Sequence, residues 1–384
     1  MMFHVFSAFT TLTWHNLVMF AVGIILIYLA IKREYEPMLL LPIGFGAILV
    51  NLPYSTVWEH DGAPGFVQTL FNAGIATELF PLLIFIAVGA MIDFSQLMRV
   101  PKMLLFGAAA QFGIFATIIA VLLLGRAMPG LGFDDLYVAS AIGIIGTADG
   151  PTSIFVARQF APQYLGPITV AAYSYMALVP LIQPPIIRAL TTKKERLIRM
   201  EYKDKKVSKK ALICFPICVT LVAGIAAPES AALVGGLMFG NLIRVCGVLE
   251  RLSNTAQNEL ANLVTLLLGI TIGGTMHGET FLSPQTLLIL MLGLVAFMFD
   301  TAGGVVFAKL LNLVCREKVN PMIGAAGISA FPMSSRIVQK MAKQEDPTNF
   351  ILMQGVGANV GGQLGSVIAG GIVLHMVPRL LGAA

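Results

Sequence analysis

Charge is the scarcest property of this sequence. Asp, Glu, Lys and Arg together make up 12% of its 384 residues, while 57% are hydrophobic. A soluble globular domain carries about twice that share of charge, so a water-soluble fold is excluded. Cysteine is sparse too: Cys214, Cys218, Cys246 and Cys315 lie in or near apolar stretches. None belongs to the close Cys/His cluster that a transition-metal site requires. The short alternating strands of a membrane barrel are missing. There is no GxxxxGK[ST] run, hence no P-loop. His4, His15, His60, His277 and His375 lie beside or within apolar runs with no nucleophile elbow near them, so Ser/His/Asp catalysis has no support. Lys and Arg outnumber the acids 25 to 20. These basic residues sit between apolar runs instead of forming a patch, which argues for membrane topology and against nucleic acid.

What the sequence has in abundance is apolar runs of roughly membrane-spanning length. They predict an all-α polytopic membrane protein in the lipid bilayer. The first half gives Leu17–Ile31, Met38–Leu52, Ile75–Ile92, Met103–Leu124, Leu136–Val156 and Tyr164–Ile187. The second gives Ala211–Ala226, Ala231–Val245, Leu263–Thr275, Leu287–Val314, Met322–Met341 and Phe350–Val377. Between the halves lies one long polar stretch, rich in Lys and Arg and therefore cytoplasmic. It reads as a topology anchor and solvated connector. The expected organisation is a first membrane repeat with its N-terminal span (1–190), a basic loop (191–210) and a second membrane repeat (211–384). The halves share a register: Gly143-Ile144 matches Gly327-Ile328, and Gly89 matches Gly273, at a common offset of 184.

Charge parity sharpens this. Lys32 and Arg33 place the end of the first span inside, the loop 53–68 has no basic residue, and Arg99 and Lys102 are inside again. Two full crossings after Asp134 and Asp135 would leave the basic loop outside, so one segment must enter and leave on the same side. In the second half Arg244 and Arg251 fall inside, His277 and Glu279 outside, and Arg316 and Lys318 inside. The repeats are thus expected to be inverted, an architecture that places ion sites near the midplane between broken helices.

The candidate break is Gly143–Phe155, GIIGTADGPTSIF. Pro151 removes a backbone donor and Gly150 loosens the chain. Asp149 stands at membrane depth, where a carboxylate is costly unless it meets a cation or a set of donors. The repeat predicts a second re-entrant tip at 327–336 that approaches Asp149. Polar residues recur at matching places: Thr147, Thr152 and Ser153; Asn320, Gly324, Ser329 and Arg336; Asn359 and Ser366, paired by the repeat with Tyr173 and Tyr175. Asn359 and Ser366 are seven apart and share a helix face. Carboxylate, amide, hydroxyl and freed carbonyl form an all-oxygen set, which hard cations choose. A single carboxylate at its centre points to Na⁺. Read from the residues alone, Asn359 could equally bond a neighbouring helix, and Arg336 is either a positive-inside residue or a fixed charge for a carboxylate near the cytoplasmic entrance. Gln111, Asp300 and Thr301 are further polar candidates within spans.

The motifs GTADGPTSIF, AAYSYMALVPLIQPPI, NPMIGAAGISAFPMSSR and GANVGGQLGS, with LFPLLIFIAVGAMIDF and GAAAQFGIF before them, closely resemble the β subunit of the Na⁺-pumping biotin-dependent decarboxylases. The likeness runs in order from about Glu36 to Gly371. It implies a subunit that decarboxylates carboxybiotin and exports Na⁺ while consuming a proton. The biotin would sit on a biotin carrier subunit, loaded by a carboxyltransferase subunit, with a small membrane subunit completing the complex. It further implies a trimer in the bacterial inner membrane whose core moves against a scaffold. Carried over residue by residue, Asp149 is the essential carboxylate for Na⁺, and Tyr175 handles the proton. Asn320, Gly324, Ser329 and Arg336 match the functional positions of the Asn-Pro…Arg region, with Asn320, Gly324 and Arg336 expected toward the biotin group. Asn359 and Ser366 match the later polar pair. Thr147 stands where some members have glycine. The short loop 53–74 leans toward acyl-CoA systems over oxaloacetate ones. No Ala-Met-Lys-Met site is present, so biotin must come on a partner. A purely secondary Na⁺/H⁺ or Na⁺/organic-anion carrier is the competing expectation, since a fold with broken helices serves both.

Overall fold

Each apolar run folds as a helix or as a broken helix in the computed structural model. It describes residues 11–200 and 206–382; the first ten residues, part of the basic loop and the last two residues lie outside it. The principal helices of the first half are α1 (Trp14–Arg33), α2 (Pro37–Val50), α3 (Leu79–Met91), α4 (Met103–Ala110), α5 (Phe112–Ala127), α6 (Leu136–Gly143), α7 (Gly150–Phe160) and α8 (Leu165–Leu190). Those of the second are α9 (Lys209–Ala226), α10 (Ala231–Cys246), α11 (Ala261–Gly274), α12 (Pro284–Val314), α13 (Met322–Ala325), α14 (Met333–Glu345) and α15 (Leu352–Leu380). Among the described residues six helices are long and apolar enough to cross a membrane, and a seventh span arises if the segment 66–91, bent by 62°, counts as one. The only strands described, Glu59–His60 and Ala63–Pro64, form a two-residue antiparallel ladder in the short loop. Ile24, Ile119, Leu123, Leu181 and Leu221 stay exposed, as side chains facing lipid do. The protein is an all-α polytopic membrane protein.

Contacts repeat between the halves. Helix α2 packs on α11 as α10 packs on α3, and α4 packs on α15 as α12 packs on α8. Each pair maps onto its partner when α2 is matched to α10, α3 to α11, α4–α5 to α12 and α8 to α15. Glycines make the first two crossings possible. A Cβ on Gly46 or Gly273 would run into the facing backbone of the α2–α11 crossing, and Gly89 and Gly240 do the same for α3 and α10. Without side chains at the crossing the backbones approach closely, which drives association where no hydrophobic effect operates between helices. A π-helical turn precedes both α3 (Phe71–Ile75) and α11 (Ala256–Leu260).

Two segments break at corresponding places. After α6 the chain makes a 3-10 turn, Ile144–Thr147, and Ala148 takes a left-handed conformation (φ 51°). Asp149 is then extended and caps α7, which opens with Gly150-Pro151. Proline is tolerated in a first helical turn and ends whatever precedes it. Residues 326–332 interrupt the second segment between α13 and α14. Every residue of 138–157 and of 320–330 is buried. Irregular backbone at membrane depth survives only when surrounded by protein.

The basic stretch is more than a solvated connector in its described part. A capping box of Thr192 and Glu195 starts a short helix, Lys193–Arg196. Arg196 then pairs with Glu345 at 2.6 Å, Arg199 with Asp346 at 2.7 Å and Lys309 with Glu195 at 3.2 Å. The segment is clasped over the end of α14. Thr348 and Arg199 hold the Asp346 carboxyl at about 2, below the usual range. The Asp346 charge in this clasp therefore persists throughout the neutral and mildly acidic range and is lost only as pH falls through about 2.

Candidate functional site

Asp149 is placed by its own backbone break. An aspartate before a helix accepts from the first-turn amides and complements the positive end of the helix dipole; here the Thr152 amide lies 3.5 Å from Oδ1. The Thr152 hydroxyl donates to Oδ2 at 2.7 Å, and Ser366 of α15 donates to the same oxygen at 2.7 Å. The Gln363 amide stands 3.3 Å from it. The carboxyl is 3% exposed, and no cationic side chain shares a hydrogen bond or ion pair with it among the described residues. Its donors are neutral hydroxyls and amides, and they crowd one oxygen, leaving Oδ1 with only a long backbone contact.

The second break meets the first directly. The Ser329 amide and hydroxyl both donate to the Thr147 carbonyl, at 3.2 and 2.7 Å. That carbonyl is free because the helix has ended two residues before Asp149. Helix α15 lies across both breaks. Asn359, Gln363 and Ser366 are spaced by four and three residues and form one stripe. Asn359 donates to the Ile328 carbonyl at 2.6 Å, while its own Oδ1 is buried with no partner. Gly362 and Gly370 keep α15 close: a Cβ on the first would strike Gly327, and on the second it would lie 2.6 Å from Thr152. An orphaned amide oxygen and an under-bonded carboxylate oxygen at the meeting of two broken helices are the groups a small hard cation would bind.

Four expected residues thus gather: Asp149, Ser329, Asn359 and Ser366. Others do not. Tyr175 donates its hydroxyl to the Leu290 carbonyl of α12 and packs beside Gly293, behind the turn that carries Asp149. Tyr173, two residues earlier, faces the site instead. Its ring fills the space above Gly150, where a Cβ would collide with it, and its buried hydroxyl has no partner. Thr152 and Gln363 also reach the carboxyl. The pattern Gln363-x-x-Ser366 within GQLGS was the legible signal for the latter.

Asn320 is buried but turned toward the clasp, donating to the Arg196 and Ile198 carbonyls at 2.8 and 2.9 Å. Gly324 lies against Gly304 of α12. Arg336 is exposed on α14; it acts on Glu36, whose burial raises its pKa and whose nearby Arg336 charge opposes that rise. These placements make a prediction. Asn320→Ala leaves the part-buried Arg196 and Ile198 carbonyls with only the longer contacts from Asn349, at 3.5 and 3.3 Å, a loss of about 0.5–1.5 kcal/mol per bond. Limited proteolysis should then cut within 191–200 more readily, while half-saturating Na⁺ stays at the wild-type value.

The family model described as the Na⁺-transporting oxaloacetate decarboxylase beta subunit matches residues 15–377. The glutaconyl-CoA decarboxylase subunit beta of Acidaminococcus fermentans is 49% identical over 371 residues, covering 97% of this chain and 96% of that protein. The methylmalonyl-CoA decarboxylase subunit beta of Veillonella parvula is 50% identical over 371 residues, with 97% and 95% covered. The oxaloacetate decarboxylase beta chain 2 of Salmonella typhi is 44% identical over 412 residues, with 94% of each chain covered.

Proposed function

Because the chain belongs to the β-subunit family of the Na⁺-transporting decarboxylases, we propose that Asp149, Ser329, Asn359 and Ser366 form its Na⁺ site and that this site couples decarboxylation to ion export. The protein is a membrane decarboxylase subunit coupled to Na⁺ transport, works within a multi-subunit complex and is multi-pass. A secondary carrier without bond chemistry is not favoured. Its substrate, on this proposal, is carboxybiotin carried by a biotin carrier subunit and loaded by a carboxyltransferase subunit. A small membrane subunit and a homotrimeric arrangement in the bacterial inner membrane complete it. The repeats 1–190 and 211–384, joined by the basic loop, are inverted, and relative movement of the two breaks exposes the site to alternate sides.

The observation that carries the proposal is the buried Asp149 carboxyl at the junction of both breaks, bonded by Ser366 and neighboured by an orphaned Asn359 oxygen. Chemistry follows from those groups. Decarboxylation needs a proton for the departing nitrogen and a water-poor site. The carboxylate of Asp149 holds a cation while ionised and releases it when protonated, so one group exchanges Na⁺ for H⁺. Tyr173, ring-on to Gly150 with a free hydroxyl, stands nearer that exchange than Tyr175 and is the better placed to pass a proton. The short 53–74 loop favours an acyl-CoA complex, and identities of 45–50% to acyl-CoA relatives against 43–44% to oxaloacetate ones lean the same way.

The test uses the assembled complex in proteoliposomes. Na⁺ uptake should require both the biotin carrier and its carboxylated form, and decarboxylation should require Na⁺. Uptake by this chain alone, with no biotin protein present, would return the secondary carrier to first place. Ser366→Ala removes a hydroxyl bonded to a charge, an interaction worth about 1.5–3 kcal/mol. The half-saturating Na⁺ concentration should rise about tenfold or more, with maximal turnover much less affected.

A further inference from the structure

Helix α12 carries a second buried acid that the site above does not use. Its inward stripe is small and apolar at Gly293, Ala296 and Gly304, each fitted against the facing turn or helix. Asp300 lies in the middle of that stripe and is 0% exposed. Neither of its carboxyl oxygens has a hydrogen-bond partner, and the hydroxyl of neighbouring Thr301 has none either. The Gly113 and Ile114 amides, in the first turn of α5, lie toward the carboxyl without making a well-formed hydrogen bond to it. On its other side the carboxyl touches the turn that presents Asp149. A Cβ on Gly113 would strike Oδ1, and one on Gly146 would come within 2.9 Å of Oδ2. Two glycines are thus hollowed out around one carboxyl, and Gly146 is three residues from Asp149.

The ionisable groups on elements packed against α12 are Tyr173, Tyr175 and Arg188 of α8, Tyr137 of α6, Arg126 of α5, Glu279 of the short helix Gly278–Phe281 and, just past the turn, Asp149. None bonds Asp300. Lys309, on α12 itself, is engaged by Glu195 and the Leu190 carbonyl. An ionised carboxylate with neither counter-ion nor formed donor is costly in such surroundings. The neutral acid costs far less, and the first-turn amides of α5 offer the ionised form a nearby positive helix end.

We propose that Asp300 is a second proton-binding site of the pump, protonated in the arrangement seen here and emptied when the turn Ile144–Thr147 moves to admit Na⁺ at Asp149. Binding forms one O–H bond on an Asp300 oxygen with a proton taken from water. Release breaks that bond and returns the proton to water, and no other bond changes. The ionised carboxylate no longer fits between Gly113 and Gly146 without its charge being answered. Its protonation therefore sets the position of the Asp149 turn, and the two sites are coupled through a shared backbone segment.

The inference rests on the Na⁺-pump reading, and one measurement separates their failures. Na⁺ is added to the purified complex in weakly buffered solution, and released protons are counted with a pH dye while Na⁺ binding is followed in parallel. Asp300→Asn should release about one proton fewer per protomer than wild type, and the pH dependence of its Na⁺ binding should flatten. Wild type that binds no Na⁺ overturns the pump reading and this one with it. Wild type that binds Na⁺, with equal proton release and an unchanged pH profile in D300N, overturns only the role of Asp300. Thermal melting compares D300N with Asp300→Glu. Should D300N fail to assemble, Na⁺-difference infrared spectra of wild type and D300E carry the test. A protonated-carboxyl band that disappears on Na⁺ addition and moves in D300E supports the proposal; a band indifferent to the substitution overturns it.

Discussion

Replacing Asp149 by asparagine should reduce Na⁺-dependent decarboxylation by the assembled complex on the order of 100-fold or more, a loss of about 2.7 kcal/mol or greater. The side chain keeps its shape and volume, so the cap on α7 and the packing against Thr152 and Ser366 survive by rotation of the amide. What disappears is the carboxylate that Thr152 and Ser366 hold at the junction of the two breaks. A neutral cluster of amide and hydroxyl oxygens can orient a cation but cannot offset the cost of bringing its charge to membrane depth. The decisive comparison is between activity and thermal melting. D149N should melt close to wild type and fail to pump at any Na⁺ concentration that saturates wild type. Asp149→Ala, by contrast, leaves the buried Thr152 hydroxyl without its acceptor and Ser366 with only the Gln363 carbonyl, and should lose stability as well. A D149N complex that exports Na⁺ at the wild-type rate would remove Asp149 from the mechanism.

The break at Asp149 was legible because it violates the pattern around it. An acid, a proline and three glycines in one apolar run have few physical explanations. The second break was legible only through the repeat, since NPMIGAAGISAFPMSSR contains no buried acid; the Ser329–Thr147 contact is what the repeat register anticipates. Sequence reasoning was weaker where one helix offers two similar side chains. Tyr173 and Tyr175 differ by two positions, about 200° around a helix, and therefore face opposite ways. Without the neighbouring helices nothing says which one meets Asp149. The surroundings of Asn320 and Arg336 were illegible for a related reason: long-range partners decide what a polar residue at a helix end meets. The carbonyls that Asn320 engages belong to residues more than 120 positions away in sequence, in a stretch whose charge reads as solvated. The Asp300 packing was invisible because its evidence consists of two glycines on other helices.

The second large effect expected is structural. Gly304 of α12 and Gly324 of α13 face each other so closely that a Cβ on either would overlap the carbonyl oxygen of the other. The resemblance placed Gly324 toward the biotin group, where a side chain would obstruct substrate. The packing assigns it to the crossing that holds the second break in place. The two roles predict different outcomes for substitution. Adding a methyl group at a backbone–backbone contact forces the helices apart at a cost of about 1–3 kcal/mol, and valine adds more. Gly324→Ala should therefore lower the melting temperature in detergent, and Gly304→Ala should lower it by a similar amount, because the contact is reciprocal. Gly324→Val should prevent assembly. The double alanine variant should cost less than the sum of the singles, since the first separation already makes room for the second methyl. Retention of wild-type stability in G324A, with activity lost and G304A unaffected, would place Gly324 in the substrate path and not in the crossing.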